Sequence, residues 1–144
     1  MYRNILLAYD GSRDGREALE QGAKLAVLCG ARVSILTVMS VSGGMLPVEG
    51  ISFVEDEVRL TTATLEEGRR RLREWGIVGS VNLRYGNPAE QIASSAREIG
   101  ADLVVIGHHH ENALWRWLNG SVGTSILNRA CCSVLVAMEP HRRN

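Results

Sequence analysis

The stretch "DLVVIG", from Asp102 to Gly107, contains four consecutive branched apolar residues between an aspartate and a glycine. A strand with one face in water alternates apolar and polar residues, whereas a short continuous apolar run indicates a strand that is buried on both faces. Four further runs predict strands: "NILLAY" at 4–9, "RVSILTVM" at 32–39, "SVNLRY" at 80–85 and "SVLVAM" at 133–138. The sequence therefore predicts a sheet of five strands with helices on both sides.

Two stretches between these strands carry clear helix boundaries. The first predicted helix begins after a Ser12 N-cap and stops at Gly30. Another begins after an Asn87 N-cap, with Pro88 at its first position, and stops at Gly100. Glu90 stands where it would complete a capping box with Asn87.

Two more helices complete the alternation of strand and helix. One follows a loop at 40–50, has an apolar stripe that includes Leu65, Leu72 and Trp75, and ends at Gly76. The other begins near Gly120. Because parallel strands need right-handed crossovers, we predict a single-domain α/β fold over residues 1–144, an open parallel five-stranded sheet of order 3-2-1-4-5, with a frayed tail at 140–144.

Composition excludes several classes of protein. The 144 residues are enough for one domain, and their 45% hydrophobic content is enough for a core. The 16 basic and 16 acidic residues cancel, so no overall field would attract nucleic acid or a membrane surface. No apolar stretch approaches the roughly 18 to 20 residues that span a bilayer. Three cysteines, two of them adjacent, do not suit a secreted disulfide framework, so we expect a cytoplasmic protein.

Ligands of open parallel sheets bind beyond the carboxyl ends of the strands. Asp10 follows the first strand, where its carboxylate can accept hydrogen bonds from a ribose diol, hold a hydrated Mg²⁺, or only form a "DGS" turn and cap the first helix. Gly107 ends the fourth strand and allows close approach of a ligand. The sequence Gly120-Ser121-Val122 places amide N–H groups at the predicted start of a helix, where they can bind an anion. Alternatively, Gly120 is only the turn before the helix and Ser121 is its N-cap.

The segment between those glycines holds three histidines and two tryptophans. We do not favour a metal site at His108–His110, because adjacent side chains diverge and no Cys or acidic partner has the usual spacing. Trp115 and Trp117 can stack on a base or anchor the segment, and anchoring is favoured. The run Arg69–Glu74 lies at helical spacing from two glutamates and indicates a solvated helix face rather than a nucleic-acid patch.

The chain resembles the universal stress protein family over essentially its whole length. The blocks that carry the resemblance are "ILLAYDGS" at 5–12, "GNPAEQI" at 86–92, "ADLVVIG" at 101–107 and "GSVGTSILNRACCSVLVA" at 120–137. The family's nucleotide motif is Gly, two residues, Gly, nine residues, then Gly with Ser or Thr. Gly107 and Gly120-Ser121 keep this spacing, and His110 replaces the second glycine.

The resemblance implies a fold like that of the adenine nucleotide alpha hydrolases, binding of ATP or AMP, and a homodimer joined through the last strand, Ser133–Met138. It maps Asp10 to the ribose and to a metal that arrives only as Mg²⁺-nucleotide, and Val38 to the residue whose backbone pairs with adenine. It maps Gly107, Gly120, Ser121 and Val122 to the phosphate cradle. The full predicted nucleotide-binding set is Ala8, Tyr9, Asp10, Val38, Gly107, His109, His110, Gly120, Ser121, Val122 and Gly123. Ala8 stands where some ATP-binding members have Pro.

His110 admits three interpretations. If the family's glycine is needed for a positive φ, His adopts that region at a cost of about 1 kcal/mol, or about fivefold in affinity. If the glycine is needed for space, an imidazole crowds the phosphates. Alternatively, the imidazole donates a hydrogen bond to a phosphate, more strongly when protonated.

Three functions follow from these residues. The favoured one is a nucleotide-binding module in the stress response, with an adenine nucleotide and a second copy as partners and no catalytic residue. The second is an enzyme, but Asp10 and Glu111 are the only obvious acids for ATP hydrolysis, and "YDGS" lacks the His-rich or Ser-Gly-Gly motif of adenylyl transfer. The third is a member that has lost nucleotide binding and acts as a dimerisation and partner-docking domain.

Overall fold

The computed structural model describes residues 1–39, 51–107 and 131–138. Its elements in chain order are β1 (Asn4–Ala8), α1 (Arg13–Cys29), β2 (Arg32–Met39), α2 (Ile51–Glu74), β3 (Ser80–Tyr85), α3 (Pro88–Ile99), β4 (Leu103–Gly107) and β5 (Ser133–Ala137). The strands are all parallel, in the order β3-β2-β1-β4-β5, which confirms the predicted topology. The predicted helix near Gly120, the loop at 40–50 and the tail at 140–144 lie outside the described residues.

The central strand explains why the apolar runs are continuous. Ile5, Leu6 and Leu7 of β1 are each at most 2% exposed, because β1 lies between β2 and β4 and is covered on both faces. Ile5 and Leu7 point to the core beneath α1 and α2, and Leu6 points to the core beneath α3. Burying each such side chain contributes roughly 1.5 to 3 kcal/mol, so the exchange of any one for a polar residue would be costly on either face.

The predicted ends of α1 and α3 are confirmed. The Ser12 hydroxyl accepts a hydrogen bond from the Gly15 N–H at 3.0 Å, and the Asn87 side chain accepts one from the Glu90 N–H at 3.1 Å. Gly30 and Gly100 end α1 and α3 in the left-handed region, with φ of 63° and 65°. The sequence signals for these two helices therefore correspond to real caps.

Helix α2 differs from its prediction at the end of the stripe. Leu65 and Leu72 are buried as expected, but Trp75 lies beyond the helix end at Glu74 and is 41% exposed. Its ring lies 5.7 Å from the ammonium of Lys24, so it covers the flank of α1 instead of entering the core. The stripe also contains Gly68, where a Cβ would lie 2.8 Å from the ring of Tyr9.

The run of arginines on α2 is an ion-paired helix face, as predicted. Arg69 lies 3.7 Å from Glu66, and Arg71 lies 2.9 Å from Glu67. Both pairs have the i,i+3 or i,i+4 spacing at which side chains on one helix meet. They are partly exposed, so each contributes little to stability.

Candidate functional site

Three strand ends meet at one edge of the sheet. Asp10 follows β1, Met39 ends β2 and Gly107 ends β4, and β1 is paired with both β2 and β4. A cavity of about 210 Å³ opens at this edge, between the ends of β1 and β2 and the first half of α2. Its lining residues are Asp10, Thr37, Val38, Met39, Glu57, Leu60, Thr61 and Thr64.

Asp10 is held by the turn that leads into α1. Its Oδ1 atom accepts hydrogen bonds from the Ser12 N–H, at 2.9 Å, and from the Ser12 hydroxyl. Gly11 makes this turn possible with a φ of 78°. The predicted turn is thus confirmed, while the carboxylate remains exposed at the edge of the sheet. The role of Asp10 as a ligand contact stays a prediction.

The backbone of Val38 points to the side on which β1 has ended. The Tyr9 N–H donates to the Leu36 carbonyl at 2.9 Å, and the Gly86 N–H donates to the Met39 carbonyl, also at 2.9 Å. Peptide groups of successive residues in a strand point to opposite sides, so Val38 faces the same side as Leu36, whereas Met39 faces β3. Since β1 ends at Ala8, the Val38 peptide groups face the space beside Asp10. Ala8 itself is half-buried against the core beneath α3.

Tyr9 has a packing role that the sequence did not reveal. Its ring is 2% exposed beneath α2, and its hydroxyl donates to Glu67 Oε1 at 3.2 Å. The same oxygen accepts from Arg71 Nε at 2.9 Å and lies 3.6 Å from Arg16 Nε. Burial raises the pKa of the Tyr9 phenol, and Glu67 raises it further. The hydrogen bond from Arg71 lowers the pKa of Glu67, so this carboxylate stays charged and ties α1 and α2 to the strand beside Asp10.

Gly107 is explained by packing. A Cβ at this position would lie 2.5 Å from the Asp14 carbonyl oxygen and 2.9 Å from the Gly15 nitrogen. These are backbone atoms that no rotamer change can move away. The absence of a side chain at the end of β4 therefore lets the first turn of α1 approach the sheet, and the contact of Gly107 with a ligand stays a prediction.

The rest of the predicted site falls outside the described residues: His109, His110, Gly120, Ser121, Val122 and Gly123, and with them Trp115 and Trp117. Among residues 1–39, 51–107 and 131–138, no group of three or more His, Cys, Asp or Glu side chains is arranged to hold a metal ion. Within the same part of the chain, no helix is both long and apolar enough to cross a membrane.

Sequence reasoning missed the contribution of α2 to the cavity. Glu57, Leu60, Thr61 and Thr64 are spaced i, i+3, i+4 and i+7, so they lie on one helix face. Thr61 was predicted only as part of the helical stripe of α2. The other three were not predicted, because a face with a charge at Glu57 and two threonines is not an apolar stripe. Thr37 was also missed, and its buried hydroxyl donates to the Tyr9 carbonyl at 2.7 Å.

A second groove lies between α1 and α2, away from the strand ends. It encloses about 410 Å³ and is lined by Arg13, Arg16, Glu17, Leu19, Glu20, Arg71, Glu74 and Trp75. Three arginines and three glutamates are among these residues, and Arg16 and Arg71 both form ion pairs with Glu67. Its size alone does not make it the binding site, because the strand ends, where parallel sheets bind ligands, lie at the smaller cavity.

The fold and the cavity define an open parallel α/β protein with a cavity at the carboxyl edge of its sheet. The family model for universal stress proteins matches residues 1–137. A universal stress protein of Methanocaldococcus jannaschii is 30% identical over 145 residues, which cover 99% of this chain and 85% of that protein. The chain therefore belongs to the universal stress protein family.

Solved structures agree with this assignment. A universal stress protein family member from Burkholderia pseudomallei is 30% identical, with a TM-score of 0.73, over 94% of this chain and 95% of that one. The universal stress protein from Archaeoglobus fulgidus in complex with dAMP is 26% identical, with a TM-score of 0.67, over 94% of this chain and 98% of that one. The second relative binds an adenine nucleotide.

Proposed function

We propose that this chain binds an adenine nucleotide, AMP or ATP, at the carboxyl edge of its sheet and serves as a binding module in the stress response. The observation that carries the proposal is the pair formed by Val38 and Asp10. The Val38 peptide groups face the space that β1 leaves open, and the Asp10 carboxylate stands beside that space. The complex of an Archaeoglobus fulgidus relative with dAMP supports the same ligand class.

Each group has a chemical role in this proposal. The Val38 peptide pairs with the edge of adenine, as the family resemblance implies. Asp10 accepts hydrogen bonds from the ribose hydroxyls, and its orientation is already fixed by Ser12 before a ligand arrives. Mg²⁺ enters only with a nucleotide triphosphate, and Asp10 is the carboxylate placed to meet it.

The phosphates are assigned to the segment that follows β4. Gly107 ends that strand. The spacing of the family's nucleotide motif assigns Gly120, Ser121 and Val122 to the phosphate cradle. Free N–H groups at a helix start bind anions, which is the physical reason for this assignment. His109, His110 and Gly123 belong to the same segment of the proposed site.

We further propose that two copies join through β5. This strand is at the edge of the sheet, and Val134, Leu135 and Val136 in it are only half-buried. A parallel edge strand leaves backbone groups that a second copy can satisfy.

Calorimetry with paired variants tests the nucleotide proposal. His110→Gly should keep or tighten ATP binding, because it restores backbone freedom and removes bulk. Gly120→Val should abolish binding, because a branched side chain intrudes on the phosphates. If His110→Gly instead loses affinity, more so at pH 6 than at pH 8, the imidazole is a phosphate ligand and the crowding interpretation is wrong.

The nucleotide content of the purified protein is an independent test of this proposal. Protein purified without added ligand should release adenine nucleotide on denaturation. If none is released, and the starting protein shows no heat with ATP, AMP or cyclic AMP, the proposal fails. The chain would then be a dimerisation and partner-docking member of its family.

A further inference from the structure

The cavity at the carboxyl edge has an unusual charge for a site that would hold a nucleotide. Two of its lining residues, Asp10 and Glu57, are carboxylates, and none of the lining residues that the structure describes is basic. Carboxylates repel phosphate groups, and an ionised carboxylate only accepts hydrogen bonds. This cavity therefore suits the part of a nucleotide that carries hydrogen-bond donors and no charge, which is the nucleoside.

The wall contributed by α2 has one charged group, two hydroxyl groups and one apolar side chain. Leu60 lines the cavity although its side chain is 71% exposed, and it can cover the face of a planar ring. The hydroxyls of Thr61 and Thr64 donate to the carbonyls of Glu57 and Leu60, at 2.7 and 3.0 Å, so their protons are used within the helix. The Glu57 carboxylate is the charged group on this wall.

No described residue engages that carboxylate. The preceding residue, Asp56, is ion-paired with Arg59 at 4.0 Å, but Glu57 forms no side-chain hydrogen bond or ion pair within residues 1–39, 51–107 and 131–138. A nucleoside offers it two kinds of donor, the ribose hydroxyls and the amino group of the base. Asp10, fixed by Ser12, is assigned to the ribose, which leaves the amino group.

On the basis of the proposed function, we propose that Glu57 accepts a hydrogen bond from the 6-amino group of adenine and so selects adenine over 6-oxo purines. A 6-oxo purine presents an oxygen at that position, and two acceptors facing one another repel. Selection follows because the wrong base leaves the carboxylate unpaired beside an oxygen, whereas the right base forms a charge-assisted hydrogen bond. Glu57 would thus add side-chain discrimination to the backbone contact of Val38.

The test compares AMP with IMP, which carries an oxo group in place of the 6-amino group. Calorimetry should show that the starting protein prefers AMP, and that Glu57→Gln reduces the ratio of the two affinities about tenfold, because a neutral amide forms a weaker bond to the amine and can donate to the oxo group. A change in net charge acts on both nucleotides alike and cancels in the ratio. Gln is as good a helix former as Glu, so α2 should persist, and circular dichroism checks this.

Glu55→Gln is the matched control. It removes the same charge from the same helix, at a position roughly 200° around the helix axis from Glu57 and outside the cavity lining. Its AMP to IMP ratio should equal that of the starting protein. Equal losses of AMP and IMP in Glu57→Gln would assign Glu57 to the ribose and overturn the inference, as would an unchanged ratio. Binding of neither nucleotide by the starting protein would be a failure of the proposed function itself.

Discussion

Single carboxylates fix both ends of the central strand. At the carboxyl end Asp10 bonds to Ser12, and at the amino end Asp102 accepts hydrogen bonds from the Arg3 N–H at 2.8 Å and the Asn4 N–H at 3.0 Å. The second carboxylate joins the start of β4 to the start of β1, across nearly a hundred residues of chain. Both contacts orient backbone rather than fill a core, so their loss should be measurable without loss of the fold.

Asp102→Asn should lower the free energy of unfolding at pH 7 by about 1 kcal/mol or less, since the lost charge-assisted bonds are partly screened by solvent. The backbone N–H of Arg3 lowers the pKa of Asp102 in the folded protein. Because the pKa of Asp102 is lower in the folded protein than in the unfolded one, the carboxylate stabilises the fold at pH values above the ordinary aspartate pKa. This stabilisation is lost as the pH falls through the pKa of the folded protein. The difference between the two proteins in urea unfolding should therefore shrink from pH 7 towards pH values below about 4.

A difference that does not change with pH would contradict this account of Asp102. Asp56→Asn is the control, because its partner Arg59 is 4.0 Å away and both side chains are more than two-thirds exposed. That substitution should leave the free energy of unfolding nearly unchanged at either pH.

Gly107→Ala tests the close approach of α1 to β4. The new Cβ would lie 2.5 Å from the Asp14 carbonyl oxygen, so helix or strand must move, at a cost of roughly 1 to 3 kcal/mol. Gly30→Ala is the comparison, because nothing lies within 4 Å there and only its left-handed backbone opposes a side chain, at roughly 1 kcal/mol. Urea unfolding without nucleotide should rank Gly107→Ala as the more damaging change. The reverse order would show that α1 can yield, and the packing role of Gly107 would be wrong.

At the scale of helices and strands, the sequence predicts a feature correctly when the residues that form it are close together in the chain. Ser12 and Asn87 could be predicted as caps because the cap residue and its N–H partner are three residues apart. Trp75 was predicted wrongly because periodicity cannot show whether the stripe continues into the core or ends at its surface. Glu57 and its neighbours on α2 were missed because they meet Asp10 only in the folded chain, across a separation that sequence spacing does not encode.

The proposed homodimer through the edge strand β5 can be tested by substitutions in and beside that strand. Met138→Asp places a charge just past β5 on a side chain that is 51% exposed, and it should shift the protein from dimer to monomer in sedimentation. Val136→Pro should do the same, because proline removes a backbone donor from the edge. Val27→Asp, on an exposed apolar residue of α1, is the control and should leave the dimer intact. A dimer that survives both β5 variants, or a starting protein that is monomeric, would contradict the assembly through β5.

At the scale of the whole molecule, the order of the strands brings distant residues to one edge. The ends of β1, β2 and β4 come from positions near 10, 39 and 107, and α2 adds its own face to them. The strand order itself could be predicted, because continuous apolar runs and crossovers allow few alternatives. The phosphate end of the site could be assigned only through the family's spacing, since its residues lie outside the part of the chain that the structure describes.

Backbone amide resonances of the labelled protein, followed during titration with AMP, test the central claim most directly. Binding at the carboxyl edge should shift the amides of Val38, Met39 and Asp10, together with those of the Glu57–Thr64 face of α2, and should leave residues around the α1–α2 groove, such as Glu20 and Trp75, unchanged. Shifts confined to that groove, or no shifts at millimolar AMP, would contradict the claim that this edge of the sheet holds an adenine nucleotide.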